Sequence, residues 1–266
     1  MTRRSPIRNF FDAVISFVFF VPLIYLYTVA MGTFSLLSSL VDGDGRVQHW
    51  FARTWSRMIL ATIFTPVEVI GRENIPSEPA VYAANHSSAL DIPLVYSNLP
   101  MQFRIMAKIE LFRYPFMGWH LTRSGQIPID EKELNLAGVK KAIKTLKNGM
   151  SLMVLPEGGR TPDGEIKKFQ SGAFFMAIKA GVPVVPMAIV GAFEMLKMNT
   201  YVIHRGRLQL VIGKPIATEG YSSRDMEKLA EKVKAAIEEM YYAKTGKRQA
   251  RQFKENAASA VQDLNS

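Results

Sequence analysis

"YAANHSSALDIPLV", residues 82–95, joins two patterns that decide the architecture. Its first part closes the apolar run "AVYAAN", which has the length and composition of a buried strand. Its second part reads as a helix, "LDIPLVYSNL", and Pro93 suits a first helical turn, which puts the helix start between Ala89 and Asp91. Strand, short polar loop and helix in that order form the repeating unit of α/β sheets. His86 then emerges at the carboxyl end of the strand, the edge where open α/β sheets place their sites.

The same alternation continues outward from this unit. "VEVIG", "QIPI", "SLMVLP", "VPVVPMAIV" and "RLQLVIG" read as further strands, and "LNLAGVKKAIKTLKNG" and "GAFFMAIKAG" as helices closed by Gly149 and Gly181. The expected fold is α/β: a central mixed β-sheet covered by helices over residues 67–222. An amphipathic helix follows, with Met226, Leu229, Ala230, Val233, Ile237 and Met240 on one face. A polar tail from Lys244 completes a C-terminal region at 223–266.

Upstream of the sheet, residues 13–41 contain no charge, and Arg3, Arg4 and Arg8 precede them. Such a run is a bilayer segment, and 1–45 is expected to be membrane-embedded and helical. As a straight helix, 29 uncharged residues would reach ~43 Å against a hydrocarbon core of ~30 Å, so the segment must tilt, bend or return, with Pro22 and Gly32 as the sites for a bend. Residues 46–66 carry Trp50, Phe51, Trp55, Met58, Ile59 and Phe64 at helical spacing, with Arg53 and Arg57 between them. That pattern fits an interfacial amphipathic helix and equally a helix packed on the core.

The 266-residue chain carries a net charge of +10, with a pI of about 9.7, which suits nucleic acid, anionic lipid or a phosphorylated substrate. With no cysteine, disulfides, thiolate metal sites and thiol nucleophiles are excluded. His49, His86, His120 and His204 offer no short helical metal spacing, so no metal is expected.

His86 and Asp91, five residues apart, would diverge within one helix but can meet if His86 lies in the loop and Asp91 at the helix mouth. A carboxylate that fixes an imidazole tautomer suits abstraction of a hydroxyl proton. With no cysteine and no G-x-S-x-G elbow, the nucleophile would be the substrate's own hydroxyl. The other reading is a capping box, Ser88 to Asp91, around a merely hydrogen-bonded histidine. A second polar cluster, "VLPEGGRTPDG" at 154–164, also follows a strand. There Glu157 and Arg160 resemble an anion site in which the carboxylate orients the guanidinium, while "PDG" is also a plain turn. Lys167 and Lys168 read as a basic face near the same mouth. Residues 108–121, with Lys108, Phe112, Arg113, Phe116, Met117 and Trp119, suit a groove for an acyl chain, core or membrane contact.

These blocks, over roughly residues 65–215, resemble the glycerolipid acyltransferases, and most of all the bacterial 1-acyl-glycerol-3-phosphate O-acyltransferases. Asn85, His86 and Asp91 match the family's N-H-x4-D motif, in which His is the general base and Asp orients it. "KIELFRYPFMGWHLTRSGQIPIDE" resembles the block that holds glycerol phosphate, implying roles for Lys108 and Gly125. Glu131 stands where arginine is usual, with Lys108 or Arg123 as its replacement. "LPEGGR" resembles Pro-Glu-Gly-Thr-Arg, with Glu157, Gly158 and Arg160 retained and Gly159 in place of threonine. "VPVVPMAI" resembles the fourth block and puts Pro186 on the acyl-donor side.

The resemblance implies acyl transfer from acyl-CoA or acyl carrier protein to the sn-2 hydroxyl of 1-acyl-glycerol-3-phosphate, giving phosphatidic acid. It implies a lysophospholipid substrate, membrane lipids as partners, no cofactor and no nucleic acid. It also implies a bacterial inner-membrane location with the catalytic domain on the cytoplasmic face, where acyl thioesters are found. Two other readings stay open: the same chemistry on another lysolipid or glycerol 3-phosphate, and a non-catalytic, membrane-anchored protein that binds anionic lipid.

Overall fold

The computed structural model describes residues 5–130 and 136–246. Arg3, Arg4, Glu131, Leu134, Asn135 and the tail beyond 246 lie outside the described residues. Seven strands form one sheet: β1 (Val67–Ile70), β2 (Val81–Ala84), β3 (Phe103–Lys108), β4 (Ile127–Ile129), β5 (Ser151–Val154), β6 (Val184–Val190) and β7 (Leu208–Ile212). Their spatial order is β1-β7-β6-β2-β5-β3-β4, every neighbouring pair parallel except β6 with β7. This is the mixed sheet expected from the sequence. It has β2 at its centre and the carboxyl ends of β6, β2, β5, β3 and β4 along one edge.

Period-two alternation divides the core between the two faces of the sheet. Tyr82 and Ala84 of β2, with Val185, Met187 and Ile189 of β6, pack against α3 (Arg46–Thr62) and α4 (Asp91–Asn98). Val81, Ala83, Val184 and Ala188 meet α6 (Leu136–Lys147), α7 (Gly172–Ala180) and α9 (Met226–Thr245). α9 buries the expected Leu229, Ala230, Val233 and Ile237, and adds Tyr241 and Tyr242. Gly181 ends α7 at φ +69°, a left-handed position that glycine occupies without a Cβ penalty. Between β3 and β4 lies α5 (Met117–Arg123), and α8 (Ala192–Met195) follows β6. β3 escapes the sequence pattern because Arg104 interrupts its apolar run. The structure buries that arginine to 9% exposure, and its Nη2 donates to the Asp44 carbonyl at 2.6 Å.

The apolar N-terminus is one helical run, Pro6–Ser38, made of α1 (Pro6–Ile15), a π-turn at Ser16–Phe20 and α2 (Val21–Ser38). Its apolar window has a mean hydropathy of 2.2, and only 17% of that window is buried against protein, so the helix is long and apolar enough to cross a membrane. The run stays helical through both Pro22 and Gly32, the expected sites of a bend. The wider π-turn immediately precedes Pro22, and the run stays helical past a residue that lacks an amide hydrogen. The chain turns instead at 39–45, and α3 returns along α2. Phe34 stacks on Phe51, Trp55 Nε1 donates to Thr28 Oγ1 at 2.7 Å, and the Tyr27 hydroxyl donates to Thr62 at 3.0 Å. α3 is therefore packed on protein along one side while Trp50 stays 57% exposed on another. Asp12, an acid within α1, faces protein: its carboxylate meets His204 Nδ1 at 2.7 Å, and Ser16 Oγ accepts from the Ile203 amide at 2.8 Å.

His49 lies between Tyr96 and Phe103, ring centroids 5.2 and 5.0 Å away. Burial, then the charges of Arg53 and Arg104, push its pKa down to about 4. The unfolded chain therefore takes up this proton first. The stabilisation is complete above the ordinary value of 6.5 and is lost as pH falls towards 4. Denaturant unfolding in detergent at pH 7 and pH 4.5 should show wild type losing up to ~3 kcal/mol more than His49→Phe over that interval; parallel losses would contradict the assignment.

Candidate active site

β2 ends at Ala84, but its pairing with β6 continues through a side chain. Asn85 Oδ1 accepts from the Ile189 amide at 2.7 Å, and its Nδ2 donates to the Ile189 carbonyl at 3.0 Å. The chain is thereby pinned where it leaves the sheet, and His86 follows in the loop. Its own amide donates to Glu157 Oε1 at 2.7 Å, and its carbonyl accepts from the Thr161 amide at 3.0 Å. Both sides of the His86 backbone are thus fixed by the loop after β5.

The imidazole is fixed by Asp91. His86 Nδ1 lies 2.8 Å from Asp91 Oδ2, with the histidine side chain 19% exposed and the carboxylate fully buried. The same oxygen accepts from the amides of Ser87 at 2.7 Å and Ser88 at 2.9 Å. Asp91 is also the first residue of α4, where the helix dipole favours an anion. The turn and the dyad are therefore one structure. The Ser88 hydroxyl does not complete a capping box with Asp91: it accepts from the Leu90 amide at 3.2 Å and donates to the Leu196 carbonyl at 2.7 Å. With Nδ1 turned to the carboxylate, Nε2 is the nitrogen left for a ligand.

Glu157 differs from its expected role. Its carboxylate does not orient Arg160; Oε1 takes the His86 amide and Oε2 the Lys167 amide at 3.0 Å, so it braces two loops together. Burial raises its pKa, and those two amide bonds oppose the rise. Gly158, at φ +74°, turns the loop, and Gly159 lies beneath a basic cluster. A Cβ on Gly159 would stand 3.8 Å from Lys167 Nζ and 3.9 Å from Lys108 Nζ, so two ammonium groups from β3 and the 154–167 loop converge there. Lys167 Nζ also donates to the Arg160 carbonyl at 3.4 Å.

The structure thus gathers Asn85, His86, Asp91, Lys108, Glu157, Gly158 and Arg160 at one sheet edge. Three other sequence candidates lie elsewhere. Pro186 is buried within β6 in register with Ala83, three residues short of the edge where His86 emerges. A Cβ on Gly125 (φ +73°) would stand 2.9 Å from Arg104 Nε, near the amino end of β3. Arg123 lines a cleft of about 410 Å³ with Trp119 and with Leu36, Leu37 and Leu40 at the end of α2. Phe116, Met117 and Trp119 are 70, 51 and 56% exposed, so they are not core. No local pattern signals the Asp12–His204 pair or the Ser88 contact to Leu196, which join residues more than 100 positions apart.

A family model for acyltransferases matches residues 66–190, which contain the whole gathered site. The 1-acyl-sn-glycerol-3-phosphate acyltransferase of Pseudomonas aeruginosa is 32% identical over 198 residues, 73% of this chain and 75% of that protein. The chain belongs to the acyltransferase family. A chloroplastic 1-acyl-sn-glycerol-3-phosphate acyltransferase of Arabidopsis thaliana is 32% identical over 176 residues, 64% of this chain; the match spans about half, 49%, of that relative's length. The crystal structure of the 1-acyl-sn-glycerophosphate acyltransferase PlsC from Thermotoga maritima superimposes with a TM-score of 0.71. It is 28% identical, covering 87% of this chain and 98% of that one.

Because Asp91 Oδ2 takes all three bonds and Oδ1 has no partner among the described residues, the acyltransferase site separates charge from turn geometry. Asp91→Asn can place its carbonyl oxygen at the Oδ2 position and should melt close to wild type. Asp91→Ala leaves two buried amides unpaired and should lose ~2–3 kcal/mol in denaturant titrations. Glu157→Gln presents an amide NH2 to one of two backbone donors and should cost ~1–3 kcal/mol in the same titrations, with a shift of the His86 ring resonances. Unchanged stability in Glu157→Gln would contradict the bracing role.

Proposed function

We propose that this protein is an O-acyltransferase that moves a fatty acyl group from acyl-CoA or acyl carrier protein to the free sn-2 hydroxyl of 1-acyl-glycerol-3-phosphate, giving phosphatidic acid. The observation that carries the reading is the His86 Nδ1 to Asp91 Oδ2 contact of 2.8 Å at the same sheet edge as Lys108, Arg160 and Lys167. A base for a hydroxyl and cations for a phosphate stand together there. The names of the relatives, each a 1-acyl-sn-glycerol-3-phosphate acyltransferase, support the choice of acceptor.

In this mechanism the acceptor's phosphate lies among Lys108, Lys167 and Arg160, and its hydroxyl meets His86 Nε2. The imidazole takes the hydroxyl proton as the oxygen bonds to the thioester carbonyl carbon. Buried Asp91 stabilises the imidazolium that forms and holds its tautomer. The tetrahedral oxyanion collapses, the carbon–sulfur bond breaks, and the proton passes from Nε2 to the leaving thiolate. Neither a metal nor a cofactor takes part in these steps. Since acyl thioesters are cytosolic, the reading places the domain on the cytoplasmic face of the inner membrane, with Pro6–Ser38 anchoring it.

The test is acyl transfer from a labelled thioester to lysophosphatidic acid in mixed micelles. His86→Ala should lose ~10²–10⁴-fold in kcat while vesicle association is retained. Lys108→Gln and Arg160→Gln should raise KM for the phosphorylated acceptor with a smaller effect on kcat. An equally active His86→Ala would overturn the mechanism. Faster acylation of glycerol 3-phosphate or another lysolipid would reassign the acceptor, and no transfer to any acceptor would leave a lipid-binding protein.

A further inference from the structure

A second cationic depression lies away from the His86 edge. Arg46, Trp50, Arg53 and Arg57 recur at helical spacing along α3 and, with His49 and Gln102, line a cavity of about 440 Å³. Gln102 precedes β3, so this cavity stands at the amino end of that strand, while Lys108 and the catalytic loops stand at carboxyl ends. The six residues of β3 separate the two positions by roughly 16–20 Å.

α3 contains no acidic residue. Among the described residues, two acids lie close by. Asp42 accepts the amides of Arg46, Val47 and Gln48 and so serves the start of the helix. Asp44 reaches Arg46 only at 3.9 Å, with both side chains about 80% exposed. Arg53 gives Nη1 to the Pro100 carbonyl at 2.9 Å, which fixes its guanidinium in the depression without neutralising it. Arg53 and Arg57 are like charges four residues apart, an arrangement that disfavours the helix unless an anion lies between them. His49, 8% exposed, lines the same cavity, and its Nε2 has no partner among the described residues. The aromatic continuity is direct: Trp50 packs edge-on against Phe51, and Phe51 stacks on Phe34 of the apolar helix.

We propose that this depression binds the phosphate of an anionic membrane phospholipid, a second lipid-headgroup site distinct from the acceptor site at His86. Guanidinium groups match phosphate as planar, bidentate donors, and Trp50 beside them has the amphipathic character of a side chain at headgroup depth. The occupant is a bilayer lipid and not free phosphate, because the cavity adjoins the end of the helix whose apolar surface is left uncovered. Its acyl chains then run beside α2.

The experiment uses the full chain with Trp55→Phe and Trp119→Phe, leaving Trp50 as its only tryptophan, reconstituted in phosphatidylcholine vesicles. Trp50 fluorescence is quenched by increasing mole fractions of chain-brominated phosphatidylglycerol or chain-brominated phosphatidylcholine. Half-quenching by the anionic lipid should come at a mole fraction lower by about fivefold per arginine engaged. Arg53→Gln with Arg57→Gln should bring the two curves together. Lys228→Gln with Lys232→Gln, the same loss of charge on the exposed side of α9, should leave them apart. Identical curves in the parent chain, an unchanged preference in the arginine variant, or equal loss in the lysine control would each overturn the site. If inorganic phosphate at millimolar concentration removes the preference, the occupant is a free anion and the lipid assignment fails.

Discussion

Asp91 Oδ2 receives an imidazole nitrogen and two main-chain amides, and much of the polar edge depends on that convergence. A neutral oxygen would satisfy the amides but would not stabilise a charged imidazole. The carboxylate does both because it sits at the first residue of α4 with no exposure to water. In that position the helix dipole and the two amides offset the desolvation cost that burial imposes on a charge. Glu157 applies the same logic at longer range, bonding the backbone of His86 to that of Lys167 across 71 and 10 positions of sequence. Between them, two buried carboxylates fix the histidine ring and the histidine backbone separately.

A second histidine–carboxylate pair shows why geometry alone does not define chemistry. His204 and Asp12 are as close as His86 and Asp91, 2.7 against 2.8 Å. Yet Asp12 belongs to the apolar N-terminal helix, and the pair joins that helix to the loop before β7. The same loop returns to the active edge through the main chain: the His204 amide donates to the Met195 carbonyl at 2.8 Å, and the next carbonyl, Leu196, accepts from Ser88. What separates the two pairs is the sheet. Only His86 stands at the carboxyl end of a central strand, next to loops that bring cations.

Local patterns in the sequence carried most of the fold. Fully buried β2, β5 and β6 read as apolar runs, and the glycines after α6 and α7 mark their ends as the expected left-handed positions. β3 was hidden because a buried arginine looks like a surface residue until its carbonyl partner is known. The dyad was legible because Pro93 fixes the helix start and hence the loop position of His86. The role of Glu157 was not, since its partners are backbone amides, which carry no side-chain signature. Arg123, Gly125 and Pro186 share a motif with the site but not its edge. Adjacency in a motif does not say at which end of a strand a residue will stand, and here the strand direction decides it.

The strongly basic composition divides in the same spatial way. One group of cations, Lys108 and Lys167, comes from loops and strand ends and converges over Gly159, in the loop that holds the His86 backbone. The other, Arg46, Arg53 and Arg57, lies on a single helix beside an exposed tryptophan, and the adjacent His49 is a weak base, its pKa pushed down to about 4 by burial and by Arg53 and Arg104. Phosphate chemistry suits both groups, but only the first stands with a histidine whose ring is held by a buried carboxylate. A lipid phosphate held at α3 would stand beside the hairpin of α2 and α3, at the opposite end of β3 from the His86 edge.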